Sequence, residues 1–224
     1  MTKLSLVVAL VVIPITVLIA QVPTDGLRFH YPLNGDISDA SGNGENGYAE
    51  HMTFGTDRFG NANSAYFNED GNLSGIVNQT QYNNPQEFTV AYWFKSDNTG
   101  DKLNPDAYSV ISSFTDGTTG TSFNHDRTVR LGPDGKLVAQ VYPGTGVFLT
   151  TIESYDDNAW HHVILSLSST RGFELFVDGN LKDSEPSVTS AQNRNGYWRF
   201  GGWMVAGRRS VWFMQFPHRP GLQD

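Results

Sequence analysis

Beyond residue 21 the chain alternates large apolar with polar residues, and no stretch there repeats apolar residues at helical spacing. In Phe88-Thr89-Val90-Ala91-Tyr92-Trp93-Phe94 the alternation puts Phe88, Val90, Tyr92 and Phe94 on one face. Residues 161–167 place His161, Val163, Leu165 and Leu167 together, and residues 173–177 do the same for Phe173, Leu175 and Val177. Shorter strands are predicted at 27–31, 109–114, 128–131, 136–142, 146–152 and 197–200. Gly132-Pro133-Asp134-Gly135 and Asp178-Gly179 separate neighbouring strands with residues suited to tight hairpin turns. Many short strands with such turns predict an all-β, two-sheet antiparallel sandwich. Trp93 and Trp160 are expected to help fill the space between the sheets.

Composition agrees, with 23 Gly and 10 Pro serving turns. No cysteine is present, which excludes disulfides, thiolate metal sites and a cysteine nucleophile. The net charge of −8 repels phosphate backbones, so nucleic acid is not an expected partner. The N-terminal stretch is different. One lysine precedes an apolar run at 4–20, broken only by Ser5 and Thr16. It reads as a secretory signal over 1–20, with an uncleaved membrane anchor as the rival. Either reading puts the rest, one domain over 24–224, outside the cytoplasm, secreted or on the cell surface or in a periplasm.

Asp36, Asp39, Ser41, Asn43 and Glu45 lie on a glycine-rich loop. Calcium takes about six to eight oxygens, which such residues can supply in part. The same residue types also cap turns by bonding their own backbone. Trp160-His161-His162 lacks metal geometry, because neighbours on a strand point to opposite faces. A structural role is expected for both histidines. The carboxylates Glu153, Asp156, Glu174 and Asp178 do not have the spacing of a glycosidase pair, and no Gly-x-Ser-x-Gly elbow occurs. No catalytic residues are assigned and no enzymatic activity is expected. Tyr108, Tyr142, Tyr155, Trp198 and Trp203 are candidates for stacking on sugar rings, although core packing is the commoner role for such residues. Asn72-Leu73-Ser74 and Asn78-Gln79-Thr80 are glycosylation sequons.

Several segments, in order, carry a resemblance to a known family. They are Phe29-His30-Tyr31-Pro32-Leu33-Asn34-Gly35, Asp39-Ala40-Ser41-Gly42-Asn43-Gly44-Glu45-Asn46-Gly47, and Arg58-Phe59-Gly60-Asn61-Ala62 with Ala65-Tyr66-Phe67. Phe88 to Phe94, Trp160-His161-His162-Val163, Phe176-Val177-Asp178-Gly179 and Arg199-Phe200-Gly201-Gly202 continue it. Together they resemble the laminin-G-like, concanavalin-A-like jelly-roll family over residues 27–207. The resemblance implies two packed sheets, a module that binds a glycan or an extracellular protein, and a calcium role for Asp39 and Asn43. A structural or adhesive surface protein is the alternative, and a glycoside hydrolase of the same sandwich is disfavoured. The family closes with a strand of the type Ile-Asp-Asp-Val-Arg-Ile-Tyr, whereas this chain carries Pro217, Pro220 and Gly221 there. The closing strand is therefore expected to be atypical or missing. Codons for residues 216–224, read one base later, can spell something close to it.

Overall fold

The computed structural model describes residues 23–50, 52–68, 75–96, 108–119, 124–201 and 212–215. The apolar leader, the sequon at Asn72, Trp203 and the tail beyond 215 lie outside the described residues. Among the described residues there are strands and no helix: β1 (Gly47–Glu50), β2 (Thr53–Gly55), β3 (Ala65–Asn68), β4 (Gly75–Asn78), β5 (Phe88–Lys95), β6 (Ser109–Thr115), β7 (His125–Leu131), β8 (Lys136–Val141), β9 (Val147–Ser154), β10 (Trp160–Ser168), β11 (Gly172–Val177), β12 (Asn180–Glu185), β13 (Tyr197–Phe200) and β14 (Trp212–Gln215). They form two antiparallel seven-stranded sheets. The first runs β1-β4-β13-β6-β7-β8-β9 and the second β12-β11-β10-β5-β14-β3-β2.

The alternation read from the sequence sets the register. β10 pairs with β5 so that Leu165 meets Val90, Val163 meets Tyr92 and His161 meets Phe94. Each inward residue therefore faces another inward residue across the ladder. Both turn residues between β11 and β12 have positive φ, Asp178 at 51° and Gly179 at 77°. That conformation matches the right-handed twist of the paired strands.

Trp93 and Trp160 are not between the sheets. The inward phase of β5 belongs to Val90, Tyr92 and Phe94, and that of β10 to His161, Val163 and Leu165. The two tryptophans take the opposite phase. Trp198, 3% exposed, fills the interior instead, packed on Phe88 and Phe114 with ring centroids 5.3 Å away in each case.

Residues 27–31 are not a strand either. The backbone N–H of His30 donates to the Asp39 carboxylate at 2.9 Å, so this donor serves a loop and not a ladder. Tyr31 and Leu33 are nevertheless fully buried in the core. At the other end, β14 forms ahead of Pro217 and pairs with both β3 and β5. The second sheet is thus continuous across the position where a closing strand was expected to be weak.

Of the three register shifts in the first sheet, one re-aims β7. Between Ser112↔Val129 and Phe114↔Asp126 the register shifts, and Arg127 has a φ of 51°. This is a β-bulge in β7, and it reverses the phase of the strand. Asp126, Arg127 and Thr128 are wholly buried, and Thr128 and Arg130 take the phase opposite inward Val129 and Leu131, with Arg130 half-buried.

Removing core volume at Trp198 should therefore cost far more than at Trp93. Trp198→Ala is expected to destabilise by about 3–5 kcal/mol. Trp93→Ala, which loses an outer-face stack, is expected to cost under about 2 kcal/mol. Urea unfolding measures both, and equal losses would contradict the assignment of faces.

Candidate functional site

The outward face of β7, β8 and β9 combines exposed aromatic rings with a half-buried cation. Two rows cross it. Thr128, Gln140 and Phe148 are direct neighbours in one, and Arg130, Val138 and Thr150 in the other. Phe148 is 53% exposed, although its phase on a strand would allow it to be polar. The Arg130 guanidinium lies 5.0 Å from the centre of the Tyr108 ring and 6.0 Å from that of Phe148. Its Nη2 donates to Gln140 Oε1 at 2.9 Å. Such stacking orients a planar guanidinium and keeps its hydrogen-bonding edge aimed. Burial lowers the pKa of Arg130, with Tyr108 opposing the shift. Arg130 Nε and Thr128 Oγ1 are buried and have no hydrogen-bond partner. An aromatic platform with a few converging polar groups is the usual make-up of a small-ligand site.

The Asp39 loop is built differently. Asp39 Oδ1 accepts from the N–H of His30 and of Ser41, each at 2.9 Å. Oδ2 accepts from the Ser41 hydroxyl at 2.7 Å and from the Glu45 N–H at 3.0 Å. Four donors occupy the lone pairs of this carboxylate. Burial pushes its pKa up, but the backbone bonds from His30, Ser41 and Glu45 and the Ser41 hydroxyl outweigh it and hold the carboxyl below its ordinary value. Asn43 Nδ2 donates to the carbonyls of Leu27 and Arg28 at 2.8 and 2.9 Å. It presents N–H groups here, and a hard cation needs oxygens. As placed, Asp39 and Asn43 tie the loop to residues 27–30. Among the described residues, no group of three or more His, Asp or Glu side chains is arranged to hold a metal ion.

Glu45 closes the same corner. Arg28 donates to its carboxylate at 2.7 Å, and Asn78 and Tyr82 donate to the other oxygen. Asn78 is fully buried by this network, so its sequon is not an accessible glycan acceptor in the folded chain.

The adjacent histidines part as the pleat requires. His161 points inward, its Nδ1 2.8 Å from Asp178 Oδ2 and its Nε2 3.0 Å from Asp157 Oδ1. His162 points outward and lies over Trp93 at 5.0 Å. Burial, together with the charge of Arg58, lowers its pKa. The two rings share no ion. Glu153 pairs with Lys182 at 3.0 Å and Glu174 with Arg171 at 3.2 Å, both structural contacts.

Of the aromatics read as sugar-stacking candidates, Tyr108 and Tyr142 are exposed, at 37% and 40%. Tyr155 and Trp198 are buried. Arg130, Gln140 and Phe148 were not singled out from the sequence. Their only signal is phase: Phe148 stands between Val147 and Leu149 in a continuous apolar run that does not say which side is inward.

The family model described as the concanavalin A-like lectin/glucanases superfamily matches residues 69–212. No curated protein matches the chain. Among solved structures, the binding domain of Paraclostridial Mosquitocidal Protein 1 superposes with a TM-score of 0.66 at 16% identity, over 86% of this chain and 48% of that one. The chain thus spans about half the length of that structure. Domain 4 of AbnA, an extracellular arabinanase from Geobacillus stearothermophilus solved in complex with arabinotriose, gives 0.55 at 16% identity, over 84% of this chain and 91% of that one. The receptor binding domain of botulinum neurotoxin D gives 0.54 at 14% identity, over 80% and 45%. At these identities the likeness is one of fold.

The Asp39 bonds carry a pH signature. A carboxyl held below its unfolded pKa of about 4 contributes its full stability above that value and loses it as pH falls through the folded pKa. The difference in unfolding free energy between the native chain and Asp39→Asn is thus expected to be constant near neutrality and to shrink below about pH 4. Urea unfolding across the acid range reads it, and a difference that ignores pH would contradict the assignment.

Proposed function

The chain belongs to the concanavalin A-like lectin/glucanases superfamily, and from that premise we propose that it is an exported, non-catalytic binding module whose ligand is a carbohydrate. The ligand lies on the outward face of β7, β8 and β9. The observation that carries this reading is the Arg130 guanidinium held beside the Tyr108 and Phe148 rings, with Gln140 bonded to it. Rings of this kind cover the apolar face of a sugar, while the guanidinium and amide bond its oxygens. The named neighbours support it in kind, since one is a binding domain, one a receptor binding domain and one was solved with arabinotriose. The apolar leader at 4–20 supports export, which places the module outside the cytoplasm.

Export and a binding face together suit a protein that meets glycans at or beyond a cell surface. The absence of a catalytic role in this proposal follows from the carboxylates. Glu153 and Glu174 each meet a cation, and Asp178 meets the His161 ring and the His162 N–H, so these groups hold the fold.

Glycan-array and calorimetric binding test the proposal. Tyr108→Ala and Phe148→Ala are each expected to weaken glycan binding by about 1–3 kcal/mol, with an unchanged unfolding midpoint. Trp93→Ala, on the other sheet, should leave binding intact. Binding that survives both site substitutions would rule this face out.

A further inference from the structure

We propose that the carbohydrate carries a carboxylate, as a uronic or other acidic sugar does, and that Arg130 is its counter-ion. The inference rests on the reading of this face as a carbohydrate site.

Four other arginines show what is unusual about Arg130. Arg28 lies 2.7 Å from Glu45, Arg127 3.0 Å from Asp126, Arg171 3.2 Å from Glu174 and Arg194 3.5 Å from Asp116. Arg130 has no carboxylate partner among the described residues, although it is partly buried and desolvated. A desolvated cation is normally paired. Its one hydrogen-bond acceptor is the neutral Gln140 amide, and its Nε has none. The rings of Tyr108 and Phe148 offset only part of the lost hydration.

The surroundings favour an anion as well. β6, β8 and β13 contain no acidic residue, and the bulge turns the single acid of β7, Asp126, into the interior. The acids nearest this face are engaged elsewhere: Glu153 of β9 pairs with Lys182 at 3.0 Å, and Asp183 of β12 accepts from the Thr150 N–H at 2.9 Å. The overall charge of −8 works against a polyanion. It leaves an isolated carboxylate, taken up locally, as the anion that fits.

A carboxylate matches the planar guanidinium fork. As it approaches, it displaces only Gln140 Oε1, and the Gln140 amide can then turn its NH₂ to the same anion. Nε is closed to solvent, so the carboxylate enters by moving Phe148, the most exposed neighbour. Thr128 Oγ1, on the same strand and in the same phase, is a second buried group without a hydrogen-bond partner.

The test is an array of uronic- and sialic-acid oligosaccharides, each printed beside its methyl ester, probed with the full chain. The acid forms are expected to bind at least about tenfold more tightly than their esters. Arg130→Gln should abolish that preference, with Arg130→Lys retaining part of it. Equal binding of acid and ester overturns the inference and leaves the carbohydrate reading standing. An acid preference that persists in a folded Arg130→Gln protein also overturns it. Binding to no glycan of either form overturns both. The acid–ester comparison needs no variant, so it decides the matter even if Arg130→Gln does not fold.

Discussion

The first sheet depends on one buried cation. Arg127 is fully enclosed, yet each side of its guanidinium is met: Nη1 by Asp126 at 3.0 Å, Nε by the Pro85 carbonyl and Nη2 by the Gln192 carbonyl at 3.1 Å. Its cationic centre lies 4.7 Å from the middle of the Phe114 ring. Burial pushes its pKa down to about 10, with Asp126 opposing the shift, so it stays charged at neutral pH. Breaking such a pair leaves an uncompensated buried charge, so the arrangement admits little alternative. It anchors two loops, at Pro85 and Gln192, to one bulge in β7.

That bulge decides what the outer face is made of. A regular strand would keep Asp126 in phase with Thr128 and Arg130, next to the candidate site. The extra residue moves Asp126 opposite inward Phe114 and leaves Thr128 and Arg130 outward. Two arginines three positions apart thereby acquire opposite roles. Arg127 is buried and fully paired, and Arg130 is half-buried beside aromatic rings with no carboxylate partner among the described residues. The positive φ of Arg127 is the local strain that makes this possible, and the enclosing hydrogen bonds hold it.

The loop at 39–47 shows a second use of polar groups. A run of oxygen-bearing side chains is ambiguous between binding a cation and binding its own backbone. Here the four donors around Asp39 and the carbonyls that receive Asn43 settle the loop internally. The loop thus replaces the ladder that residues 27–31 would otherwise need, and lets Tyr31 and Leu33 reach the core without belonging to a strand.

Local chemistry was enough to read much of this molecule. The alternation in β5, β10 and β11 and the Asp-Gly turn after Val177 follow from pleat and turn geometry, which neighbouring residues specify. The separation of His161 from His162 follows in the same way. The side on which Trp93 and Trp160 lie is not legible in the sequence, because a strand rich in large residues on both faces does not announce which one is inward. Phe148 was hidden for the same reason, within a continuous apolar run. Arg127 and Arg130 look alike in sequence. Their difference arises from a bulge and from carbonyls 42 and 65 positions away, contacts that exist only once both sheets and their loops are assembled.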